Sequence, residues 1–103
     1  MISPRIEAWQ LIEGELTDPQ LIDLRGPEAF ERGHIPGALA IPYAQLQAEA
    51  ERRIDRARPV VLLDGGGARA AELALWLRQI GYDAGYLVGG MARWMGDLAT
   101  GDR

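Results

Sequence analysis

Cysteine is absent from this sequence of 103 residues. Disulfides, thiolate metal sites and every covalent mechanism that runs through a cysteine are excluded with it. Lysine is absent as well, since all eleven basic residues are arginine, so a phosphate loop ending in Gly-Lys-Ser/Thr is ruled out. Histidine occurs once, at His34, and a metal site around it would need partners that the sequence does not cluster. No apolar run approaches the roughly eighteen residues that a membrane span requires. The opening MISPRIEAW has neither the basic patch nor the apolar block of a secretory signal. The expected compartment is the cytoplasm, with no membrane partner.

What is present describes a compact core: 48% hydrophobic residues against 25% charged, in a length suited to one domain over residues 1–103. The net charge of −4 speaks against nucleic acid. Binding a phosphate backbone calls for a basic face, and the one arginine cluster, Arg52, Arg53, Arg56 and Arg58, is interleaved with Glu49, Glu51 and Asp55.

Along the chain, Ser3-Pro4 carries the signal of a helix start, followed by apolar Ile6, Trp9, Leu11 and Ile12 up to Gly14. Leu21–Leu24 is a short strand closed by Arg25-Gly26-Pro27, and Glu28–Arg32 makes a helical turn or two before Gly33. Residues 33–42 hold too much glycine and proline for a helix and form a loop with a short strand at Ala38–Ile41. A helix is expected over Tyr43–Arg58, then an apolar strand at Val60–Leu63 suited to the centre of a parallel sheet. Ala70, Leu73, Ala74, Leu77 and Ile80 repeat at helical spacing, with Gly81 as the stop, and Tyr86–Val88 is a last strand. Strands alternating with helices imply a parallel sheet covered on both faces. Trp9, Trp76 and Trp94 are read as core or part-buried anchors, and residues 100–103 as a tail that frays.

The stretch VVLLDGGGAR, Val60 to Arg69, runs a buried strand through glycines into a helix. Such a junction leaves backbone N–H groups aimed at one spot, where the helix dipole also favours negative charge, and Arg69 could add a guanidinium fork. The glycines could equally make no more than a tight turn. LLDGGGAR has some likeness to the acidic-glycine loop of methyltransferases that bind S-adenosylmethionine, but those folds are far longer. A phosphatase using Asp64 as nucleophile would want a second acidic residue nearby to hold magnesium, and Gly65 to Gly67 offer none.

Two segments together resemble one family. LIDLRGPEAFERGHIPGALAIP (Leu21 to Pro42) and VVLLDGGGARAAELALWLRQIGYDAGYLVGGMARW (Val60 to Trp94) are similar, in order and spacing, to the two signatures of the rhodaneses. These are sulfurtransferases that carry sulfur as a cysteine persulfide. The resemblance implies a rhodanese-like three-layer α/β domain with a five-stranded, mostly parallel central sheet flanked by helices. In active members a loop of the form Cys-x-x-Gly-x-Arg holds the nucleophile, and the matching positions are Asp64, Gly65, Gly66, Gly67, Ala68 and Arg69.

Asp64 therefore falls where the resemblance places the cysteine. A carboxylate cannot replace a polarisable thiolate that attacks the outer sulfur of a donor, so no catalytic residue, cofactor or metal is assigned. Asp64 instead is expected to supply the anion from within the loop, held by the glycine N–H groups. The resemblance also implies that Asp23, Arg25 and Glu28 pin the GHIPGA loop by ion pairing and hydrogen bonding, and that His34 inside it is structural. The expected role is a binding or regulatory module of sulfur or redox metabolism, with another protein as its partner and with room for a small anion only once Asp64 is removed. The alternatives are an enzyme, either a sulfurtransferase whose catalytic cysteine is replaced by aspartate or one that uses Asp64 for a different reaction, and a structural domain docked on an active sulfurtransferase.

Overall fold

A computed structural model describes residues 1–101. The elements in chain order are β1 (Arg5–Ile6), α1 (Ala8–Ile12), β2 (Gln20–Asp23), α2 (Pro27–Arg32), β3 (Leu39–Ala40), α3 (Leu46–Arg53), β4 (Val60–Leu63), α4 (Ala68–Gln79) and β5 (Ala84–Leu87). Single 3-10 turns occupy Tyr43–Gln45 and Gly90–Arg93. The five strands lie in the order β1-β5-β4-β2-β3, every neighbouring pair parallel. Among the described residues, one isolated antiparallel bridge lies outside the strands and joins His34 to Ala99.

The central strand explains the layering. All four residues of β4 are buried, and successive side chains of a strand point to opposite faces. Val60 and Leu62 pack under α3 and α4 with Leu46, Ala50, Leu73 and Leu77, while Val61 and Leu63 pack on the other side with Ile6, Phe30, Ile35 and Leu87. Helices therefore cover both faces, and each fully buried aliphatic side chain contributes about 1.5–3 kcal/mol relative to exposure. The strands end together near Asp23 and Leu63, where β2 and β4 are in register, so the loops that follow them share one rim of the sheet.

The first element differs from the reading of the sequence. Ser3 does act through its side chain, since its Oγ accepts the Arg5 N–H at 3.2 Å, but the chain it turns becomes β1, paired with Tyr86 and Leu87. Burial of Ile6 against β5 outweighs the local helix signal, and α1 starts later, with the Gln10 side chain accepting the Glu7 N–H at 2.8 Å. The helix expected over Tyr43–Arg58 is also shorter. It ends at Ile54, which is buried in extended conformation, because the Asp55 side chain accepts the Ala57 N–H at 2.8 Å and sets a turn. Strand β5 begins two residues earlier than Tyr86, as Ala84 and Gly85 pair with Val60 and Val61. Of the tryptophans, Trp76 and Trp94 are partly buried against the two core clusters, but Trp9 is 51% exposed. In the tail, the Gly101 N–H is tied to the Glu31 carbonyl at 2.8 Å; residues 102–103 lie outside the described residues.

The layering makes a direct prediction for stability. Leu62→Ala should cost about 2–5 kcal/mol by leaving a cavity under α4, whereas Leu75→Ala, on the outer face of the same helix, should stay within about 0.5 kcal/mol. Urea unfolding of the two variants beside the parent checks both values.

Candidate functional site

The rim beyond β2 and β4 holds a cavity of about 340 Å³ lined by Leu24, Arg25, Tyr43, Asp64, Gly65, Gly66, Ala68 and Arg69. Its floor is the turn from β4 into α4. Asp64 is buried, and its carboxylate is turned back into the helix start: Oδ1 accepts the N–H of Gly67 and Oδ2 accepts the N–H of Ala70 at 2.9 Å. Gly67 immediately precedes α4 with φ +105, a left-handed conformation that disfavours any side chain. Helix starts leave N–H groups without partners, and a carboxylate answers both that need and the dipole. Of the three glycines only Gly67 donates to Asp64; among the described residues no acceptor meets the N–H groups of Gly65, Gly66, Ala68 or Arg69.

The carbonyls of the same turn face away from the cavity. The Asp64 carbonyl accepts the Met91 N–H at 2.7 Å and the Gly65 carbonyl accepts the Ala92 N–H at 2.9 Å. This contact brings the second 3-10 turn against the loop so closely that a Cβ on Gly90 would lie 2.5 Å from the Asp64 carbonyl oxygen. Gly90 also has φ +59, so two independent constraints require glycine there. Residue-type reasoning missed this support because the donors are main-chain groups. The adjacent pair Gly89-Gly90 is the one signal that could have revealed it.

Side chains complete the walls. The Arg69 guanidinium lies 4.8 Å from the centre of the Tyr43 ring, within cation–π range, and the Tyr43 hydroxyl donates to Glu72 at 3.0 Å. That hydrogen bond and the negative charge of Glu72 raise the Tyr43 phenol above its ordinary range, while Arg69 acts in the opposite direction. Tyr43 and Glu72 were not singled out from the sequence.

The remaining expected residues form a neighbouring support. Asp23 is fully buried and holds Arg25 through both carboxylate oxygens, with the closest contact 2.8 Å from Nη2. The same Nη2 donates to the Gly33 carbonyl at 2.7 Å, so the pair does hold the start of the GHIPGA loop. Glu28 does not share in this: it is exposed in the first turn of α2, where its charge suits the dipole, and among the described residues it forms no ion pair. His34 is fully buried, stacked on Phe30 with ring centres 3.7 Å apart, and its Nδ1 donates to the Phe30 carbonyl at 2.7 Å. It does not line the cavity at Asp64, and it faces no solvent. Among the described residues no group of His, Asp and Glu is placed to hold a metal ion, and no helix is long and apolar enough to cross a membrane.

The Tyr43–Glu72 contact is open to a spectroscopic check. Glu72→Gln removes the charge that opposes phenol ionisation, so the alkaline titration of Tyr43, followed by tyrosinate absorbance with Tyr43→Phe as the subtraction reference, should move to lower pH. An unmoved curve would mean that the contact does not persist in solution.

Comparison with known proteins agrees with this architecture. The model of the rhodanese-like domain matches residues 5–97. The chain is 31% identical over 98 residues to the thiosulfate sulfurtransferase GlpE of Coxiella burnetii, covering 94% of this chain and 89% of that protein. It is 43% identical over 81 residues to the uncharacterized protein YqhL of Bacillus subtilis, covering 77% of this chain and 63% of YqhL, so it spans less than two thirds of that relative. Among solved structures, a rhodanese-related protein from Thermoplasma volcanium superposes with a TM-score of 0.86 at 22% identity, covering 94% of this chain and 98% of that one. A rhodanese-like domain protein from Staphylococcus aureus gives 0.85 at 25% identity, with 96% and 99% covered. The all-parallel sheet flanked by helices and the match over residues 5–97 establish that this chain, which contains no cysteine, belongs to the rhodanese-like domain family.

Proposed function

We propose that this domain does not transfer sulfur and serves as a binding or regulatory module in sulfur or redox metabolism, with another protein as its partner. On this reading residues 64–69 correspond to the loop that carries the nucleophile in active sulfurtransferases, with Asp64 at the nucleophile's position. The observation that carries the reading is the engagement of the Asp64 carboxylate by the N–H groups of Gly67 and Ala70 in a chain without a single thiol. Sulfur transfer from thiosulfate needs a thiolate to attack the outer sulfur, forming a cysteine persulfide and expelling sulfite. An aspartate held in this way is a hydrogen-bond acceptor and a helix cap. It has no route to a persulfide.

A second reading, a sulfurtransferase whose cysteine is replaced by aspartate, draws support from the likeness to GlpE and from the loop N–H groups that Asp64 leaves uncommitted. The parent protein should show no thiosulfate-to-cyanide sulfur transfer above the blank. Asp64→Cys should gain one sulfur atom by mass spectrometry after thiosulfate treatment, because the helix start would favour the thiolate and its persulfide. Turnover in the parent, in thiol-free buffer, would defeat the first reading. An introduced thiol that stays unmodified would defeat the second.

The role given to Asp64 predicts a linked effect on stability. Asp64→Ala should lose about 0.5–2 kcal/mol, the usual worth of a helix cap, and should then bind sulfate at the exposed donors. Thermal melting across a sulfate titration, with chloride at matched ionic strength, should therefore raise the melting temperature of the variant more than that of the parent. Equal responses would show that Asp64 does not occupy an anion position.

A further inference from the structure

A second concavity lies away from the loop after β4 and shares no lining residue with it. It is a cleft of about 470 Å³ between α1 and the segment that follows the second 3-10 turn, with Leu11, Ile12, Leu21, Ile35, Trp94 and Met95 on its walls. Met95 is 90% exposed and Ile12 53% exposed. Trp9, on α1, and Leu98, three residues beyond Met95, are exposed by 51% and 57%. Two of the seven large hydrophobic side chains exposed on the described surface, Ile12 and Met95, line the cleft, and Trp9 and Leu98 belong to the two segments that form its walls. Exposed methionine beside tryptophan gives a surface that adapts its shape to apolar side chains.

The charge around the cleft is of one sign. No basic residue occurs in residues 6–24 or 94–101, which supply most of the wall. Asp97 lines the cleft, and the connection from Ile12 to Pro19, both on the wall, carries Glu13 and Glu15. Among the described residues none of these three carboxylates forms an ion pair, whereas Asp18 in the same connection is held by Arg58 at 3.0 Å. Arg93, the basic residue next to Trp94, has its side chain packed close over Gly89. A second copy would bring the same acidic rim against itself on a chain of net charge −4, and an anionic membrane would be repelled.

We infer that this cleft is a docking groove for a basic, amphipathic segment of another protein, whose apolar side chains lie between α1 and Trp94–Met95 and whose arginines or lysines meet Glu13, Glu15 and Asp97. The binding mode is that of an amphipathic helix laid in a groove, with apolar anchors giving affinity and the charged rim giving selection and speed of encounter. This site is separate from the loop at Asp64, and its test does not depend on whether that loop handles sulfur.

The probe is a fluorescein-labelled synthetic helix with leucines along one face and arginines along the other, titrated with the intact chain and followed by anisotropy. A companion peptide replaces every arginine by glutamate. The arginine peptide should bind saturably and at least about tenfold more tightly than the glutamate peptide, a preference that should shrink as salt is raised. Met95→Asn, at a side chain too exposed to disturb the fold, should remove the apolar contact without adding charge and weaken binding by at least about tenfold relative to Leu75→Asn on the outer face of α4. Glu13→Gln, Glu15→Gln and Asp97→Asn combined should remove most of the salt dependence. Three results would overturn the inference. They are binding that Met95→Asn and Leu75→Asn affect alike, self-association in sedimentation equilibrium that Met95→Asn abolishes, and partition onto phosphatidylcholine vesicles in preference to the peptide.

Discussion

The main chain and the side chain of Asp64 bind in different directions, and the rim of the sheet is organised by that division. Its carbonyl, with that of Gly65, is taken by the N–H groups of Met91 and Ala92, while its carboxylate is taken by those of Gly67 and Ala70. One residue at the end of β4 thereby joins the start of α4 to the turn that follows β5. Each half depends on the other. With the carbonyls of Asp64 and Gly65 committed to Met91 and Ala92, the carboxylate meets two donors at the helix start, Gly67 and Ala70, and leaves the N–H groups of Ala68 and Arg69 in the first turn to an outside acceptor. The same division explains why Gly67 and Gly90 sit on either side of it: one lets the chain reverse below the carboxylate, and the other lets a second backbone come within contact of the first.

The chemistry of such a rim turns on one atom type. A scaffold that collects N–H donors at a helix start stabilises any anion placed there, whether thiolate, persulfide, sulfate or carboxylate. The donors do not choose among reactions. Sulfur transfer requires a soft nucleophile with an oxidisable sulfur, and a chain without cysteine keeps the architecture of its family while lacking that reagent. Arg69 and Tyr43 lie over the same cavity, so a ligand would meet a guanidinium partly engaged by an aromatic face and not a free charge.

Legibility in the sequence followed the range of the interactions. β4 and α4 were readable because an apolar run and a helical repeat are local patterns, and the junction between them could be located to the residue at Asp64. β1 was not, because Arg5–Ile6 is a strand only by virtue of Tyr86 and Leu87 at the far end of the chain, while Ser3-Pro4 carried a helix signal that tertiary pairing overrode. Within the site, the glycines between strand and helix drew notice to the junction, and the resemblance to the rhodaneses named Asp64 to Arg69 as its loop. The donors Met91 and Ala92 act through their backbones, which carry no residue identity. Arg25 could be placed beside the GHIPGA loop, but not which carboxylate would hold it; Asp23 does and Glu28 does not.

The outermost strands, β1 and β3, are each two residues long, against four for the three strands between them. A sheet that tapers in this way offers very little open ladder at either margin, so another chain has almost nothing on which to extend it. Native sheets blunt their margins with charges, bulges, covering loops or very short edge strands. Here truncation at the margins does that task. The architecture is thus guarded against polymerisation through its backbone, and sequence change on its surface is freed from that duty.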